Sequence, residues 1–121
     1  MQTNEIAEQA AVAAAEKWLA LTDVGDSPES WNQAATQLFK SAVTPEQWKT
    51  SLDSAQGLVG RPLSRELRSK EYKEEMPGLP DGEYVVLEYA TSLEKKRNGT
   101  ETVFLAKDSD GEWRVAGYFV K

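Results

Sequence analysis

Apolar residues recur at helical spacing through the first half of the chain and at alternating spacing through the second. Ile6, Ala7, Ala10, Ala14, Trp18 and Leu21 form one broad stripe on a helix predicted from Asn4 to Asp23, with Glu5, Gln9 and Glu16 opposite. The stripe is mostly alanine, a thin face suited to lying close on a sheet, with Trp18 filling volume near one end as a core anchor. Val12 and Leu19, seven apart, make a second stripe for a neighbouring helix or another subunit. Val24-Gly25-Asp26 breaks the helix. Ser27 as N-cap and Pro28 at the first position open a second helix, with Trp31, Ala34, Ala35, Leu38 and Phe39 as its apolar face. Thr44 and Pro45 open a third, with Gln47 placed for a capping box; Trp48, Leu52, Ala55 and Val59 face inward, and Gly57 and Gly60 end it.

The pattern then changes period. Arg61 to Tyr72 is charged and alternating, as expected of an edge strand whose charges discourage pairing with other molecules; Arg61, Arg65, Arg68 and Lys70 make it locally basic, which also leaves an anion site open. A turn-rich stretch, Met76 to Gly82, precedes a long strand from Glu83 to about Lys95. Val85, Leu87, Tyr89, Thr91 and Leu93 share one face of it; Tyr84, Val86, Glu88, Ala90 and Ser92 share the other. Asn98-Gly99 predicts a two-residue hairpin, Thr100 to Lys107 returns, and Asp108 to Gly111 makes a second hairpin. The last strand, Glu112 to Val120, is apolar on both parities.

This order predicts an α+β domain spanning residues 1–121, with three N-terminal helices on one face of a four-stranded antiparallel sheet. The other face keeps Tyr84, Val86, Tyr118 and Val120, a patch fit for a homodimer interface, unless a segment of the same chain covers it.

Composition narrows the chemistry. The chain has no His and no Cys, which removes Ser-His-Asp and Cys-His catalysis, disulfides and thiolate metal sites. A net charge of −6 argues against general affinity for nucleic acid. No apolar run reaches the length of a membrane span. The N-terminal residues lack the basic and apolar regions of a signal peptide. Asp108, Asp110 and Glu112 around Gly111 resemble a fragment of a calcium loop without its remaining ligands, and read as a solvated turn. Asn98-Gly99-Thr100 matches a glycosylation acceptor, though turn chemistry alone explains it. Glu88, Glu94 and Glu101 fall on strands. Glu101 with Arg65 or Arg114 is the candidate pocket or ion pair, and a cross-strand ion pair competes with acid–base work. No catalytic, cofactor or metal site is assigned.

From Trp18 onward the chain resembles a bacterial family known as domain of unknown function 4019. The matching pieces are Trp18-Leu19-Ala20-Leu21, Gly25-Asp26, Trp31, Phe39, Trp48, Gly60 with Arg65 and Leu67, and Glu101-Thr102. The more specific ones are Pro77-Gly78-Leu79-Pro80-Asp81-Gly82-Glu83-Tyr84 and Gly111-Glu112-Trp113-Arg114-Val115-Ala116-Gly117-Tyr118. The resemblance covers roughly residues 15–121. It implies a cystatin-like fold, akin to nuclear transport factor 2-like domains, and an exported, periplasmic setting. It brings no assigned activity, and the His-Asp dyad common in enzymes of that fold cannot form here. Two readings follow: a non-catalytic binding or assembly module, or a small-ligand carrier or enzyme using Glu and Arg groups between helices and sheet. A cavity filled by Trp and Leu would favour the first. A cavity carboxylate with a perturbed pKa would favour the second.

Overall fold

The computed structural model describes residues 2–32, 36–79 and 81–121. Four helices lead: α1 (Gln2–Asp23), α2 (Ser27–Asn32), α3 (Gln37–Ala42) and α4 (Pro45–Val59). Four strands follow: β1 (Pro62–Lys73), β2 (Tyr84–Leu93), β3 (Lys96–Lys107) and β4 (Trp113–Val120). The strands form one antiparallel meander in the order β1-β2-β3-β4, with the helices packed on one face.

The expected second helix is two short ones. Thr36 adopts an extended backbone and its hydroxyl caps α3 by accepting from Phe39 N at 3.0 Å. Its own N–H donates to Val115 O on β4, so the break is pinned to the edge of the sheet. Ser27 is not the cap of α2. Asp26 Oδ1, one residue earlier, accepts from Glu29 N. Ala34, Ala35, Pro80 and the side chain of Leu38 lie outside the described residues. The capping box of Thr44 and Gln47 forms as expected, with Pro45 in the first turn and Gly60 closing α4.

On α1 the buried stripe is Ala7, Ala11, Ala15, Trp18, Leu19 and Thr22. It is rotated from the expected one: Ile6 is 67% exposed, Ala10 is exposed, and Ala14 and Leu21 are half-buried. With alanine at positions 7, 10, 11, 13, 14 and 15, hydrophobicity alone barely distinguishes neighbouring faces. Leu19 therefore belongs to the core and Val12 packs against it, leaving no separate stripe.

Trp18 is fully buried, as expected. Ser30 ties it to α4: Ser30 O accepts from Trp18 Nε1 at 3.0 Å, and Ser30 Oγ accepts from Trp48 Nε1 at 2.8 Å. The two indoles lie 5.4 Å apart, and Phe39 meets Trp48 edge-on. Below them lie Val85, Leu87, Val103, Leu105 and Val115 of the sheet.

The first hairpin turns at Glu94 and Lys95, not at Asn98-Gly99. Leu93 pairs with Lys96, and Gly99 lies inside β3 opposite Thr91. Tertiary contacts override the local turn signal. Glu94 N donates to Arg61 O, Lys95 N donates to Val59 O, and Glu94 Oε1 accepts from Arg61 N, which seats the turn on the α4–β1 junction. Gly99 is needed for close approach, because a Cβ there would lie 2.6 Å from Leu93 Cδ1. The Asn98-Gly99-Thr100 acceptor thus sits within a strand. The second hairpin forms where expected, with Gly111 at positive φ and its N–H donating to Asp108 O.

Candidate functional site

Alternation along β2 and β3 sends Tyr89, Thr91 and Glu101 to the helix side, with Glu101 paired between Tyr89 and Val120. Glu101 is 2% exposed. Its Oε1 accepts from Arg65 Nε and from Thr91 Oγ1, both at 2.6 Å. Its Oε2 accepts from Arg65 Nη2 at 3.2 Å and from Tyr118 OH at 2.5 Å. Arg65, reaching in from β1, also donates Nη1 and Nη2 to the two oxygens of Asp23, each at 3.0 Å. One guanidinium thereby joins the end of α1 to two strands through two carboxylates.

The electrostatics follow from this geometry. Burial alone would raise the Glu101 pKa, but hydrogen bonds from Arg65, Thr91 and Tyr118, with the Arg65 charge, bring it below the ordinary value. Burial would lower the Arg65 pKa, and Asp23 and Glu101 outweigh it in the other direction. The Tyr118 hydroxyl is pushed up by burial and by Glu101 beside it. Tyr89 rises to about 12 through burial and the charge of Glu16; its buried hydroxyl has no hydrogen-bond partner among the described residues. The cleft beside the cluster, between α1, α4 and the sheet, measures only about 30 Å³. That is room for one water and no substrate.

Of the sequence-picked ion-pair residues, the structure brings Arg65 and Glu101 together and leaves Arg114 apart. Arg114 is bound by Asp108 at 3.0 Å and by both oxygens of Asp110 at 2.9 Å, across the β3–β4 turn. Its hydrogen bond holds Asp110 down at about 2. These aspartates, the calcium-loop fragment of the sequence, are thus committed to a guanidinium. Glu88 lies on the outer face, where its Oε2 accepts from Ser69 Oγ at 3.3 Å. Asp23 and Thr91 complete the cluster. Neither stood out as charged chemistry in the sequence, although Asp23 ends the predicted α1 and Thr91 shares the buried parity of β2.

The expected sheet-face patch also changes. A register shift between Phe104 and Leu105 puts both Val115 and Tyr118 on the helix side. Tyr118 packs against Trp18 with ring centroids 5.4 Å apart and planes tilted by 58°, and Val120 lines the small cleft against α4. Tyr84 is buried, with its ring close to Gly82. Tyr84 and Val86 keep the outer parity of β2, and Val86 pairs with Phe104. Phe104 lies over Gly117 and meets Phe119 edge-on at 5.7 Å, and Phe119 is 60% exposed.

These features define a class: an α+β domain with helices on one face of an open antiparallel sheet, whose buried carboxylate is saturated by hydrogen bonds. The model of the family described as protein of unknown function DUF4019 matches residues 14–118, and the chain belongs to that family. Comparison with curated proteins gives no match. Among the described residues, no helix is long and apolar enough to cross a membrane.

Proposed function

We propose that this domain is a non-catalytic binding or assembly module of an exported bacterial protein, with its interior reserved for structure. One observation carries the reading: the space between helices and sheet around Glu101 is occupied. Trp18, Trp48 and Tyr118 pack there, and about 30 Å³ is left beside Glu101. The alternative, a carrier or enzyme working through Glu101 and Arg65, draws on the perturbed carboxylate. The direction of that perturbation argues against it. A lowered pKa with every carboxylate oxygen engaged describes a locked anion, not an acid or base poised near neutral pH. Export follows from the family resemblance alone.

Binding then falls to the surface. The assembly part of the reading commits to a second copy of this chain, meeting the outer sheet face at Val86, Phe104 and Phe119. That patch is apolar and aromatic, whereas the molecule as a whole carries −6 and repels its copies elsewhere.

A thermal-shift screen of small anions, lipids and peptides tests the module reading. A ligand at about a hundred times its Kd stabilises by about 2.7 kcal/mol. The expected hits raise Tm equally in the wild type and in Tyr118→Phe, which removes one donor to Glu101 in the interior cluster. Turnover of any screened compound, or a Tm rise lost in a folded Tyr118→Phe variant, would make the interior the working site and overturn the reading.

A further inference from the structure

The outer face of the sheet carries a trough at the corner where β1, β2 and the start of β3 meet. Its floor is small: Ala90 and Ser92 of β2, with Ser64 paired to Ser92, and with Glu66 and Thr100 flanking Ala90. Longer side chains rise on either side, Arg68 from β1 and Arg97 with Asn98 from β3. The cavity so enclosed is about 500 Å³, within the usual range of small-molecule sites.

Three register shifts bracket this corner: between Pro62 and Ser64, between Leu67 and Ser69, and between Thr91 and Leu93. Arg68 is the extra residue of the second, since Leu67 pairs with Tyr89 and Ser69 with Glu88. Bulges bend a strand and re-aim its side chains. Here the irregularity places a guanidinium at the trough beside Glu66.

Arg65 and Arg114 each hold two carboxylates. Arg68 and Arg97 share with Arg61 the lack of an ion pair among the described residues, although the protein has 20 acidic side chains against 14 basic ones, and differ from it in lining one cavity. Two unpaired guanidiniums, hydroxyls from Ser64, Ser92 and Thr100, and the Asn98 amide converge on one cavity. Glu66 is the one carboxylate lining it. A guanidinium fork matches a carboxylate or phosphate, and the surrounding hydroxyls, amide and carboxylate match sugar-like hydroxyls.

We propose that this trough binds a small hydroxylated organic anion, a sugar acid or sugar phosphate, with Arg68 and Arg97 holding the anionic group. The proposal rests on the binding-module reading and supplies its ligand class.

Isothermal titration with glucuronate and with glucose 6-phosphate tests it, with glucose and inorganic phosphate as partial ligands. The expected result is saturable binding of at least one sugar anion at about 1 mM or tighter. Arg68→Ala and Arg97→Ala should each weaken it about tenfold or more, the effect of losing a charge-assisted hydrogen bond. Arg61→Ala, which removes an exposed cation outside the trough, should leave it unchanged. Both trough arginines are exposed and unpaired, so these variants retain the fold. Absence of saturation by either sugar anion, equal binding of glucose, or indifference to both arginine variants would overturn the proposal. Such a failure is distinct from failure of the module reading, which is decided by turnover and by Tyr118→Phe, a change outside the trough.

Discussion

Glu101→Gln keeps the size of the side chain and removes its charge, so it isolates what the buried anion contributes. Arg65 would retain Asp23 but lose its better-buried partner, and the amide NH₂ would face donors it cannot accept from. The expected cost is about 2–3 kcal/mol in urea unfolding at neutral pH, near the range for charge-assisted hydrogen bonds and below that for a fully broken buried pair. The pH dependence follows from the lowered pKa. The folded state holds Glu101 ionised more strongly than the unfolded chain does. The resulting stability is therefore fully present above the unfolded value of about 4.3 and is lost as the pH falls through the lower folded value. Wild type should lose stability over that acid window more steeply than Glu101→Gln; parallel curves would show that Glu101 is not the linked group. Trp18 sets the apolar counterpart. It is fully buried, packed between Trp48 and Tyr118, and its Nε1 donates to Ser30 O. Trp18→Ala should cost about 3–5 kcal/mol, measured by urea unfolding.

Elements were legible where a local signal and the tertiary environment agree. The α4 capping box, the alternation of β2 and the Asp108 to Gly111 turn all formed as the residues predict. Local pattern fails where a long-range contact decides. The alanine-rich face of α1 has no preferred side until Leu19 and Thr22 are drawn into the core. Thr36 became a cap because β4 takes its N–H. Asn98-Gly99 lost the hairpin to Glu94-Lys95 because the α4–β1 junction holds that turn. Gly60 is central to this junction: its φ is +79°, and a Cβ there would lie 2.6 Å from Glu94 Cβ. Gly60→Ala should destabilise by about 1–3 kcal/mol through the clash and the backbone strain. Gly57, one turn earlier and inside α4, has nothing within 4 Å of such a Cβ. Gly57→Ala should stabilise by about 0.5–1 kcal/mol, from helix propensity. Chemical denaturation of the two variants checks the contrast. Similar losses in both would mean that the junction, and not Gly60 alone, tolerates no added carbon.

At the scale of the molecule, one face of the sheet is committed to the helices and the other is divided. The β1 side of the outer face is polar and holds the Arg68–Arg97 trough; the β4 side is apolar and holds Val86, Phe104 and Phe119. The Arg65–Glu101 pair could be anticipated from residue type and strand position. The division of the outer face could not, because it depends on the bulge that turns Tyr118 inward, and alternation carries no sign of one extra residue. That bulge yields a clean test of assembly. If copies of the chain meet through the apolar half, light scattering after size exclusion at tens of micromolar should give a dimer mass. Phe119→Glu should then give a folded monomer, its Tm lowered by loss of the partner and of the Phe104 contact, because Phe119 is 60% exposed in the single chain and a charge there is most costly against a partner. Tyr118→Glu should behave differently: it places a second carboxylate beside Glu101 and removes the ring packed against Trp18, so it should unfold the chain outright. A monomer mass for wild type rejects the dimer. A dimer that survives Phe119→Glu moves the contact off this patch, and a folded Tyr118→Glu would contradict the inward turn of β4.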